Sequence, residues 1–314
     1  MIKRKELYMD FRELNYVLAI AKYQNISRAA EALYVSQPTL SKFLIGLESD
    51  LGIKLFRRLG HKYVLTYAGE RYVDHALQIQ RLKNDLDIEL ADIIKRDVGV
   101  LNVAFARMRC TYVLPGSLPA FKEKYPNVKV NVFEGSSDEN DRRILDGQAD
   151  IAFYSAPSEL NPLMEYESLG EEELLICTGR DHPIGRFAEP NPSGKYPRLN
   201  PALLENELII MMHSDQRTRQ IADSVLQDLG IHFSNVLYTS NLPAIIELVA
   251  RGYGISFVHE THLRHRSGDT PISCYSFSTG RIMSEFVAAY RKGSYIPKYA
   301  RDYIELIRSL QSES

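Results

Sequence analysis

The sequence predicts three successive units: a winged helix-turn-helix domain, a long linker helix, and an α/β domain of two Rossmann-like lobes. Two short amphipathic helix patterns flank a tight turn in residues 27–48. A heptad pattern follows, and strand and helix patterns then alternate twice from residue 100 onward. We therefore expect domains at 1–65, 66–96 and 97–314.

The first helix beside the tight turn has small residues on its buried face. Ala29, Ala30 and Leu33 recur at helical spacing, and Ser27 stands where an N-cap is expected. The small alanine side chains allow a second helix to cross close by. An upstream amphipathic stripe predicts a further helix that completes a three-helix unit: Phe11, Leu14, Val17, Leu18 and Ala21.

The second helix follows a turn at Tyr34 and Val35, and it is polar where it begins. Ser36 is its expected N-cap, and Pro38 lies in the first turn, where a missing N–H costs nothing. One side is apolar through Leu40, Leu44 and Leu47, which leaves four polar residues near the exposed start: Gln37, Thr39, Ser41 and Lys42. In a helix-turn-helix these side chains meet base edges and phosphates in the major groove. An ordinary helical hairpin is the alternative.

A β-hairpin is predicted next, with Leu55–Phe56 and Val64–Leu65 as its apolar parts and Gly60 at the bend. A hairpin beside a helix-turn-helix is a wing, and four basic residues would lie on it: Arg57, Arg58, His61 and Lys62. Residues 1–62 carry a net charge of +5, and the rest of the chain carries −7. A basic end on an acidic body indicates nucleic-acid binding by one domain.

Several motifs in this region occur together at a specific spacing. They are Met9-Asp10-Phe11-Arg12-Glu13-Leu14, Ser27-Arg28-Ala29-Ala30, Ser36-Gln37-Pro38-Thr39-Leu40-Ser41, Leu47-Glu48, Leu51-Gly52, Leu55-Phe56-Arg57-Arg58 and Leu65-Thr66-Tyr67-Ala68-Gly69. This set resembles the N-terminal signature of LysR-type transcriptional regulators, and the resemblance in architecture extends to about residue 310. It implies a sequence-specific DNA-binding regulator whose promoter binding is modulated by a small-molecule effector bound between two C-terminal lobes.

The motifs and the turn together define the expected DNA-binding residues. They are Ser27, Arg28, Ser36, Gln37, Pro38, Thr39, Ser41, Lys42, Arg57, Arg58, His61 and Lys62. His61 departs from the arginine that the family often has in the wing, so its phosphate contact is expected to be weaker or pH-dependent. Eight residues precede the usual start of the family. Met9 could be the initiator, Lys3-Arg4-Lys5 could be an added arm that contacts phosphates, or the segment could be a solvated tail.

Residues 66–96 predict one long helix with Thr66 as its N-cap. Apolar residues recur at steps of four and three, with Lys83 at the one polar position: Tyr72, Ala76, Ile79, Leu86, Leu90 and Ile93. This heptad pattern predicts a partner helix, and therefore a dimer; packing on the chain's own C-terminal domain is the alternative. The resemblance also implies paired linker helices, and it favours a homotetramer over a homodimer. Asp97, Val98 and Gly99 are expected to form a hinge.

From residue 100 onward a β-α-β-α-β order occurs twice. The first set has strands at Val100–Ala106, Val128–Phe133 and Ile151–Tyr154, and helices at Pro115–Tyr125 and Asp138–Asp146. The second set has strands at Leu208–Met212, Val236–Thr239 and Ile255–Val258, and helices at Thr218–Leu229 and Leu242–Ala250. Strands near 163–178 and at Ile282–Arg291 are expected to cross between the lobes. A helix at Pro297–Leu310 would then end the chain on lobe one. Residues 185–200 are expected to form a surface loop. The pattern predicts a periplasmic-binding-protein type domain, with lobe one at 100–167 and 285–314 and lobe two at 168–284.

Two open sheets joined by crossing strands leave a cleft, where ligands usually bind in α/β folds. We expect three segments to line it: Ala106–Thr111, Gly135-Ser136-Ser137 and Asp215–Arg219. Helix-start N–H groups favour an anion. Four arginines could add charge-assisted bonds: Arg107, Arg109, Arg217 and Arg219. For each arginine, a solvated surface position or an internal ion pair is the alternative.

The family resemblance places Ser137, Thr218 and Asn241 at positions that commonly contact an effector. Met108 stands where many relatives have a small or hydroxylated residue, which predicts a narrower or more apolar pocket and argues against a plain small anion. The expected effector-binding residues are Arg107, Met108, Arg109, Ser136, Ser137, Arg217, Thr218 and Asn241. We expect a small metabolite, anionic in character, and no cofactor and no metal.

Other features narrow the class of protein. Cys110, Cys177 and Cys274 lie far apart in the sequence, which predicts neither a disulfide framework nor a zinc site and indicates a reducing compartment. Cys110 follows two arginines that could lower its pKa and make it a redox sensor, whereas buried inert cysteine is the common case. No apolar run is long enough to span a membrane and no signal peptide is evident, so a cytoplasmic chain without a membrane partner is expected.

Enzymatic readings find little support. The sequence has no GxGxxG after the strand at residue 100, no phosphate-binding P-loop and no GxSxG. His259, His262 and His265 would diverge too much on a straight helix to share a metal ion. A periplasmic solute-binding protein and a DNA-tethered α/β enzyme are the alternatives. The expected partners are double-stranded DNA, the effector and a second copy of the chain. RNA polymerase could be a further partner.

Overall fold

The computed structural model describes residues 10–60, 62–94, 98–264 and 271–312. The chain forms two compact units, residues 1–90 and 91–314, and each is described by itself. Several expectations fall outside the described residues: the N-terminal segment before Asp10, His61, Asp97 of the expected hinge, and His265. None of the described helices has an apolar stretch long enough to cross a membrane.

The first unit begins with three helices: α1 (Phe11–Tyr23), α2 (Ile26–Ala32) and α3 (Gln37–Leu51). They pack around one core of buried apolar side chains, among them Val17, Ile20, Ala29, Leu40 and Leu44. This confirms the three-helix unit, because the expected apolar faces are the ones that meet. Phe11 is an exception in the predicted stripe, since its side chain is exposed.

The N-terminal caps decide where the helices of this unit begin. Ser36 caps α3 as expected, and its Oγ accepts the N–H of Thr39. The expected Ser27 cap of α2 is wrong, because Asn25 occupies that position and its Oδ1 accepts the N–H groups of Ser27 (3.0 Å) and Arg28 (3.1 Å). Asparagine and serine are about equally good caps, so the helical pattern alone did not distinguish the two positions.

The wing is confirmed as a hairpin of β1 (Phe56–Leu59) and β2 (Lys62–Leu65), which pair antiparallel. Gly60 lies in the left-handed region at φ +61°, which favours glycine at this bend. Phe56 points into the helical core, and the next three residues of β1 are exposed.

A single helix, α4 (Tyr67–Ile93), follows the wing. Thr66 caps it as expected, because its Oγ1 accepts the N–H of Gly69 at 3.0 Å. Near its start, Tyr72 packs against the core of the first unit, and Ala76 is buried. Farther along, Leu86 and Leu90 are 53% and 49% exposed. The apolar stripe therefore leaves the core of its own unit after about three turns.

The second unit is built on a ten-stranded sheet rather than on two separate sheets. Eight of its strands are β3 (Gly99–Ala106), β4 (Val128–Gly135), β5 (Ile151–Ser155), β6 (Met164–Gly179), β8 (Ile209–Met211), β9 (Val236–Tyr238), β10 (Ile255–His259) and β12 (Ile282–Arg291). They form the main path of the sheet in the order β4, β3, β5, β12, β6, β10, β8, β9. The expected crossing strands β6 and β12 pair antiparallel, with a register shift between Phe286 and Val287, and their hydrogen bonds join the lobes into one sheet.

Two further strands, β7 (Arg198–Leu199) and β11 (Ile272–Phe277), lie beside this path, and β11 pairs with both β6 and β7. Neither strand was predicted. The expected surface loop at 185–200 holds β7 and the end of a short 3-10 helix, Pro183–Phe187. A second 3-10 helix spans Pro201–Leu204.

Helices cover both faces of each half of the sheet. They are α5 (Arg107–Lys124), α6 (Ser137–Leu145), α7 (Arg217–Asp228), α8 (Leu242–Ala250), α9 (Glu260–Arg264) and α10 (Lys298–Ser312). In lobe one, α5 and α10 cover one face and α6 the other. In lobe two, α7 and α8 lie on opposite faces. Each lobe thus has two apolar layers, as predicted for an α/β fold.

The largest correction concerns the start of α5. A helix from Pro115 was expected, and the helix begins at Arg107. Buried residues at helical spacing continue through the proline, at Cys110, Val113, Ser117 and Phe121. Thr111, whose carbonyl group loses its helical partner at Pro115, is exposed, so that carbonyl can bond to water. The segment expected as a cleft-lining connection is therefore the first turn of a helix.

Candidate functional site

The start of α3 presents a row of exposed polar side chains. Ser36, Gln37, Thr39 and Lys42 are exposed, and Ser41 is half-buried. Ser36 Oγ lies 2.7 Å from Thr39 Oγ1, so these two hydroxyls also hold the first turn of the helix. Gln37 and Lys42 keep their side chains outside that pair. This is the arrangement that a major-groove reading helix requires.

Two neighbouring features extend the polar surface around α3. Ser27 and Arg28 are exposed at the start of α2. Tyr34, in the turn between α2 and α3, is 97% exposed and has a φ of +54°. The sequence pattern assigned Tyr34 only to the turn. Its exposure and its strained backbone are the signals that single it out as a further candidate for phosphate contact.

The wing carries exposed Arg57, Arg58 and Lys62, as expected. The guanidinium of Arg58 lies over the ring of Tyr63, 5.7 Å from its centroid. Such contacts restrict the side chain while leaving its N–H groups available to phosphate oxygens.

A buried carboxylate ties the wing to α3. Glu48 is buried, and its Oε1 accepts the N–H groups of Leu55 (2.9 Å) and Phe56 (3.1 Å). Its Oε2 lies 2.6 Å from Lys54 Nζ. Leu47-Glu48 is part of the sequence signature, but the sequence alone assigned no role to Glu48. The contacts show that it positions the wing relative to α3.

The linker helix exposes the residues of the predicted seam beyond its first turns. Leu86 and Leu90 are half-exposed, and Leu82 lies beside them at 66% exposure. Lys83, the polar residue in the seam, forms an ion pair with Asp87 at 2.5 Å. An apolar stripe of this kind on a charged helix is a surface that a second helix can cover.

A shallow recess in the second unit lies between the lobes; its cavity volume is about 30 Å³, and the space is about 410 Å³ when the open solvent at its mouth is included. Residues from both lobes line it: Ala106, Arg107, Met108, Arg109, Ser137, Ser155, Met212, Gln216, Arg217, Thr218 and His262. Six of the eight expected effector-binding residues meet here, namely Arg107, Met108, Arg109, Ser137, Arg217 and Thr218. Ser136 and Asn241 do not line the recess. Ser155, Met212, Gln216 and His262 were not predicted.

At the start of α6, two backbone N–H groups already donate hydrogen bonds to side chains of the same helix start. Ser136 Oγ accepts the N–H of Glu139, and Glu139 Oε2 accepts the N–H of Ser136 at 2.8 Å. The pKa of Glu139 lies below its usual value, first because it accepts the Ser136 N–H and then because Arg107 lies nearby. The expectation of an open, anion-attracting helix start is therefore not met at Ser136.

Asn241 has a structural partner as well. It is exposed, and its Oδ1 accepts the N–H of Ala244 at 3.1 Å as the N-cap of α8. The family position was expected to contact the effector, and in this chain it lies outside the recess.

The arginines near the recess all have acidic or polar partners within the chain. Arg107 lies 3.4 Å from Glu139, Arg217 lies 3.6 Å from Asp138, and Arg219 lies 2.6 Å from Asp223. The alternative of internal ion pairs, left open by the sequence, therefore describes these side chains. Much of their positive charge is balanced before any ligand arrives.

Arg109 is the extreme case, because its side chain is buried at 1% exposure. It forms an ion pair with Glu172, donates to Ser155 Oγ at 2.7 Å and to Tyr112 Oη at 3.0 Å, and stacks over the ring of Phe286. Burial alone would raise the pKa of Glu172, and the charge of Arg109 outweighs it, so the pKa lies below its usual value. Both groups are held charged.

Glu172 belongs to a buried polar network that reaches the recess. Its carboxylate accepts from Ser155 Oγ (2.8 Å) and Thr261 Oγ1 (2.5 Å). His259 Nε2 lies 2.9 Å from Ser284 Oγ, which itself lies 3.5 Å from Glu172.

The other ring nitrogen of His259, Nδ1, lies 3.1 Å from Thr218 Oγ1, so the network ends at a residue of the recess. Burial lowers the pKa of His259, and this outweighs the opposing charge of Glu172, so the ring is neutral at pH 7. From the sequence, His259 is considered only as a metal ligand, a role that the helical spacing argues against, and Glu172 has no assigned role.

Two nitrogen donors in the recess are buried without a hydrogen-bond partner among the described residues: Gln216 Nε2 and Arg217 Nε. Met108 and Met212 supply apolar walls. A ligand that offers acceptor oxygens at one end and apolar surface at the other fits this lining.

The histidines and cysteines of the second unit bear on the expectations about metal binding and redox sensing. Within the described ranges, no group of three or more histidine, cysteine or acidic residues could hold a metal ion. The rings of His259, at the end of β10, and His262, in α9, are 6.3 Å apart. For Cys110, burial and the Glu134 carboxylate raise the pKa to about 12, which contradicts the redox-sensor alternative and agrees with the buried, inert cysteine that is the common case.

Known protein families match both units. The family described as LysR substrate binding domain matches residues 95–312, and the bacterial regulatory helix-turn-helix proteins of the LysR family match residues 11–70. A probable RuBisCO transcriptional regulator of Trieres chinensis is 29% identical over 257 residues, covering 80% of this chain and 81% of that protein. A hydrogen peroxide-inducible genes activator of Haemophilus influenzae is 26% identical over 289 residues, covering 91% and 92%.

Solved structures share the fold along almost the whole chain. A full-length OxyR variant from Pseudomonas aeruginosa has a TM-score of 0.73 at 23% identity, covering 96% of this chain and 95% of its own. Full-length CbnR in complex with its target DNA has a TM-score of 0.59 at 24% identity, covering 96% and 99%.

Proposed function

This chain belongs to the LysR family of bacterial regulatory helix-turn-helix proteins, and from that premise we propose which of its residues carry the regulation. It is a sequence-specific DNA-binding transcriptional regulator whose promoter binding responds to a small-molecule effector. The observation that carries the assignment of roles is the recess at the junction of the lobes, which combines unpaired buried donors with apolar walls.

For DNA, the proposal assigns base reading to the start of α3 and phosphate binding to its surroundings. Gln37 and Lys42 read base edges, with Thr39 and Ser41 beside them. Arg28, Tyr34 and the wing cations contact phosphates. The exposure of these side chains on one small basic domain supports this division.

For assembly, the proposal is a homodimer that pairs through α4. Leu86 and Leu90 are about half-exposed rather than buried in the core of their own unit, and a second α4 offers a matching stripe that could cover them. The Lys83–Asp87 ion pair would then border the seam. A homotetramer and a contact with RNA polymerase stay predictions of the sequence, as does action in the cytoplasm.

For the effector, the proposal is a small carboxylic acid with an apolar portion. Its oxygens would accept from Gln216 Nε2 and Arg217 Nε, with Ser137 and Thr218 nearby, and its apolar part would lie against Met108 and Met212. The internally balanced arginines support a single carboxylate rather than a densely charged anion.

The buried network supplies a physical link between the lobes. It runs from Thr218 in α7 through His259, Ser284 and Glu172 to Arg109 in α5. A ligand shifts the lobes only if it binds one arrangement better than another. A regulatory coupling of about 1–3 kcal/mol is the usual range, so the effector should change DNA affinity by a modest factor, and DNA should change effector affinity equally.

The test is a thermal-shift screen of small mono- and dicarboxylates against the full chain and against Ser137→Ala/Thr218→Ala. At least one acid should raise the melting temperature of the parent, and the double variant should lose that response while binding DNA as before. The matched control is Ser278→Ala/Thr279→Ala, which changes an exposed serine and threonine of lobe two. A response of parental size in the double variant would exclude the recess as the effector site.

A further inference from the structure

Cys177 and Cys274 are 97 positions apart in the sequence and adjacent in the fold. Cys177 lies in β6 and Cys274 in β11, and the two are directly opposite each other in the antiparallel register. Their Sγ atoms are 3.8 Å apart, with both residues present as thiols.

The backbone geometry of this pair suits a disulfide. Directly opposite residues in antiparallel strands have Cα atoms about 4.5–5.5 Å apart, and disulfides span Cα separations of about 4.4–6.8 Å. Opposite residues also point to the same face of a sheet. Here that face is the apolar layer under α8, which holds Cys177 together with Leu175 and Val249 and contacts Cys274 at its edge.

The two thiols differ in their access to solvent. Cys177 is buried and Cys274 is half-buried. A dissolved oxidant therefore reaches Cys274 first, and the second thiol lies next to it in protected surroundings. This is the arrangement of an attacking and a resolving cysteine.

We propose that Cys177 and Cys274 form a reversible disulfide when the protein meets a peroxide. The thiolate of Cys274 attacks one peroxide oxygen, the O–O bond breaks, and a sulfenic acid forms as hydroxide or an alcohol leaves. The sulfur of Cys177 then attacks the sulfenic sulfur, the S–O bond breaks, and water leaves with the Cys177 proton. Two thiols lose two electrons and two protons, and the peroxide is reduced by two electrons.

The remaining cysteine provides a matched control. Cys110 is buried in lobe one, and its thiol donates to Glu134 Oε1 at 3.2 Å. Burial and that carboxylate disfavour the thiolate, which is the reactive form. Cys110 should therefore stay reduced under conditions that oxidise the other two.

The disulfide would connect two neighbouring strands and close a long loop of the chain. Restricting the unfolded chain in this way usually stabilises the native state. For a unit of this size we expect the melting temperature to rise by about 5 °C on oxidation. Dithiothreitol should reverse the shift.

The experiment treats the full chain with hydrogen peroxide at a small molar excess and counts thiols after denaturation. The chain has three cysteines, so the count should fall from three to one, and tryptic mass mapping should find Cys177 linked to Cys274. Cys110→Ser should fall from two thiols to none. Cys177→Ser and Cys274→Ser should yield no intramolecular linked peptide.

Three results would overturn the proposal: a thiol count that stays at three, thiol loss accompanied only by sulfinic or sulfonic acid, or linked peptides that join two chains on a non-reducing gel. Mapping of the parent protein decides among them even if a serine variant folds poorly.

Discussion

The DNA-binding surface and the effector recess place similar residue types in opposite surroundings. On the first unit, the wing arginines and the polar residues at the start of α3 are mostly exposed side chains that project from a packed apolar core. In the second unit, Arg109 and Glu172 are buried, and the arginines beside them are paired with internal carboxylates. A charged residue near a site can therefore bind a partner molecule or stabilise the fold, and the burial of its side chain distinguishes the two roles.

The difference has an energetic basis. An exposed arginine keeps its hydration until DNA arrives, so its charge is available for binding and costs the fold little. A buried arginine loses its hydration on folding and must be compensated inside the chain.

The largest expected effect on binding comes from the exposed seam of α4. Leu86→Glu should yield monomers, and affinity for a duplex with two half-sites should fall by about 10²–10⁴-fold because the two domains no longer bind together. Light scattering and a binding titration measure the two effects. Asn84→Glu adds the same charge at an exposed polar position of the helix and should leave both unchanged. An unchanged assembly in Leu86→Glu would mean that the seam faces its own chain.

The largest expected effect on stability comes from Glu172→Ala, which leaves Arg109 buried without its carboxylate. Breaking a buried ion pair in this way costs about 3–5 kcal/mol. Urea unfolding of the full chain should show the loss. Glu171→Ala, one residue earlier and exposed, should change stability by less than about 0.5 kcal/mol. Equal stability of the two variants would mean that the Arg109–Glu172 pair does not contribute to the fold.

Base reading is tested by Gln37→Ala at the start of α3. Loss of a bidentate base contact should weaken binding to the specific site by about 1–3 kcal/mol, and binding to random DNA much less. Gln78→Ala, an exposed glutamine on α4, is the matched control. Equal losses on specific and random DNA would assign Gln37 to the phosphate backbone instead.

The smallest expected change is in the salt dependence of DNA binding, to which the wing contributes. Arg57→Ala should weaken binding to all sequences and reduce the slope of log affinity against log salt by about 0.9, the value for one phosphate contact. Arg251→Ala removes an equally exposed arginine from lobe two and should leave the slope unchanged. If Arg57→Ala leaves it unchanged as well, the wing does not touch the DNA.

Sequence reasoning was most accurate where local rules decide the structure. The Ser36 cap, the leucines of α3, the Gly60 bend and the Thr66 cap follow from helix, turn and capping preferences within a few residues. Most strands and helices of both lobes followed in the same way, because their apolar periods are clear, whereas β7 and β11 were not predicted. The misplaced Ser27 cap came from two local signals of nearly equal strength, and the start of α5 was placed too late because its helical pattern continues upstream of Pro115.

The sequence by itself determined the order of elements, the basic N-terminal surface and the apolar stripe of α4, since composition and periodicity act along the chain. The tertiary structure alone decided which charges meet. Only it places Glu172 against Arg109, His259 between Thr218 and Ser284, and Cys177 opposite Cys274. The physical reason is that these contacts join residues tens of positions apart, and their strength depends on burial that no local pattern specifies.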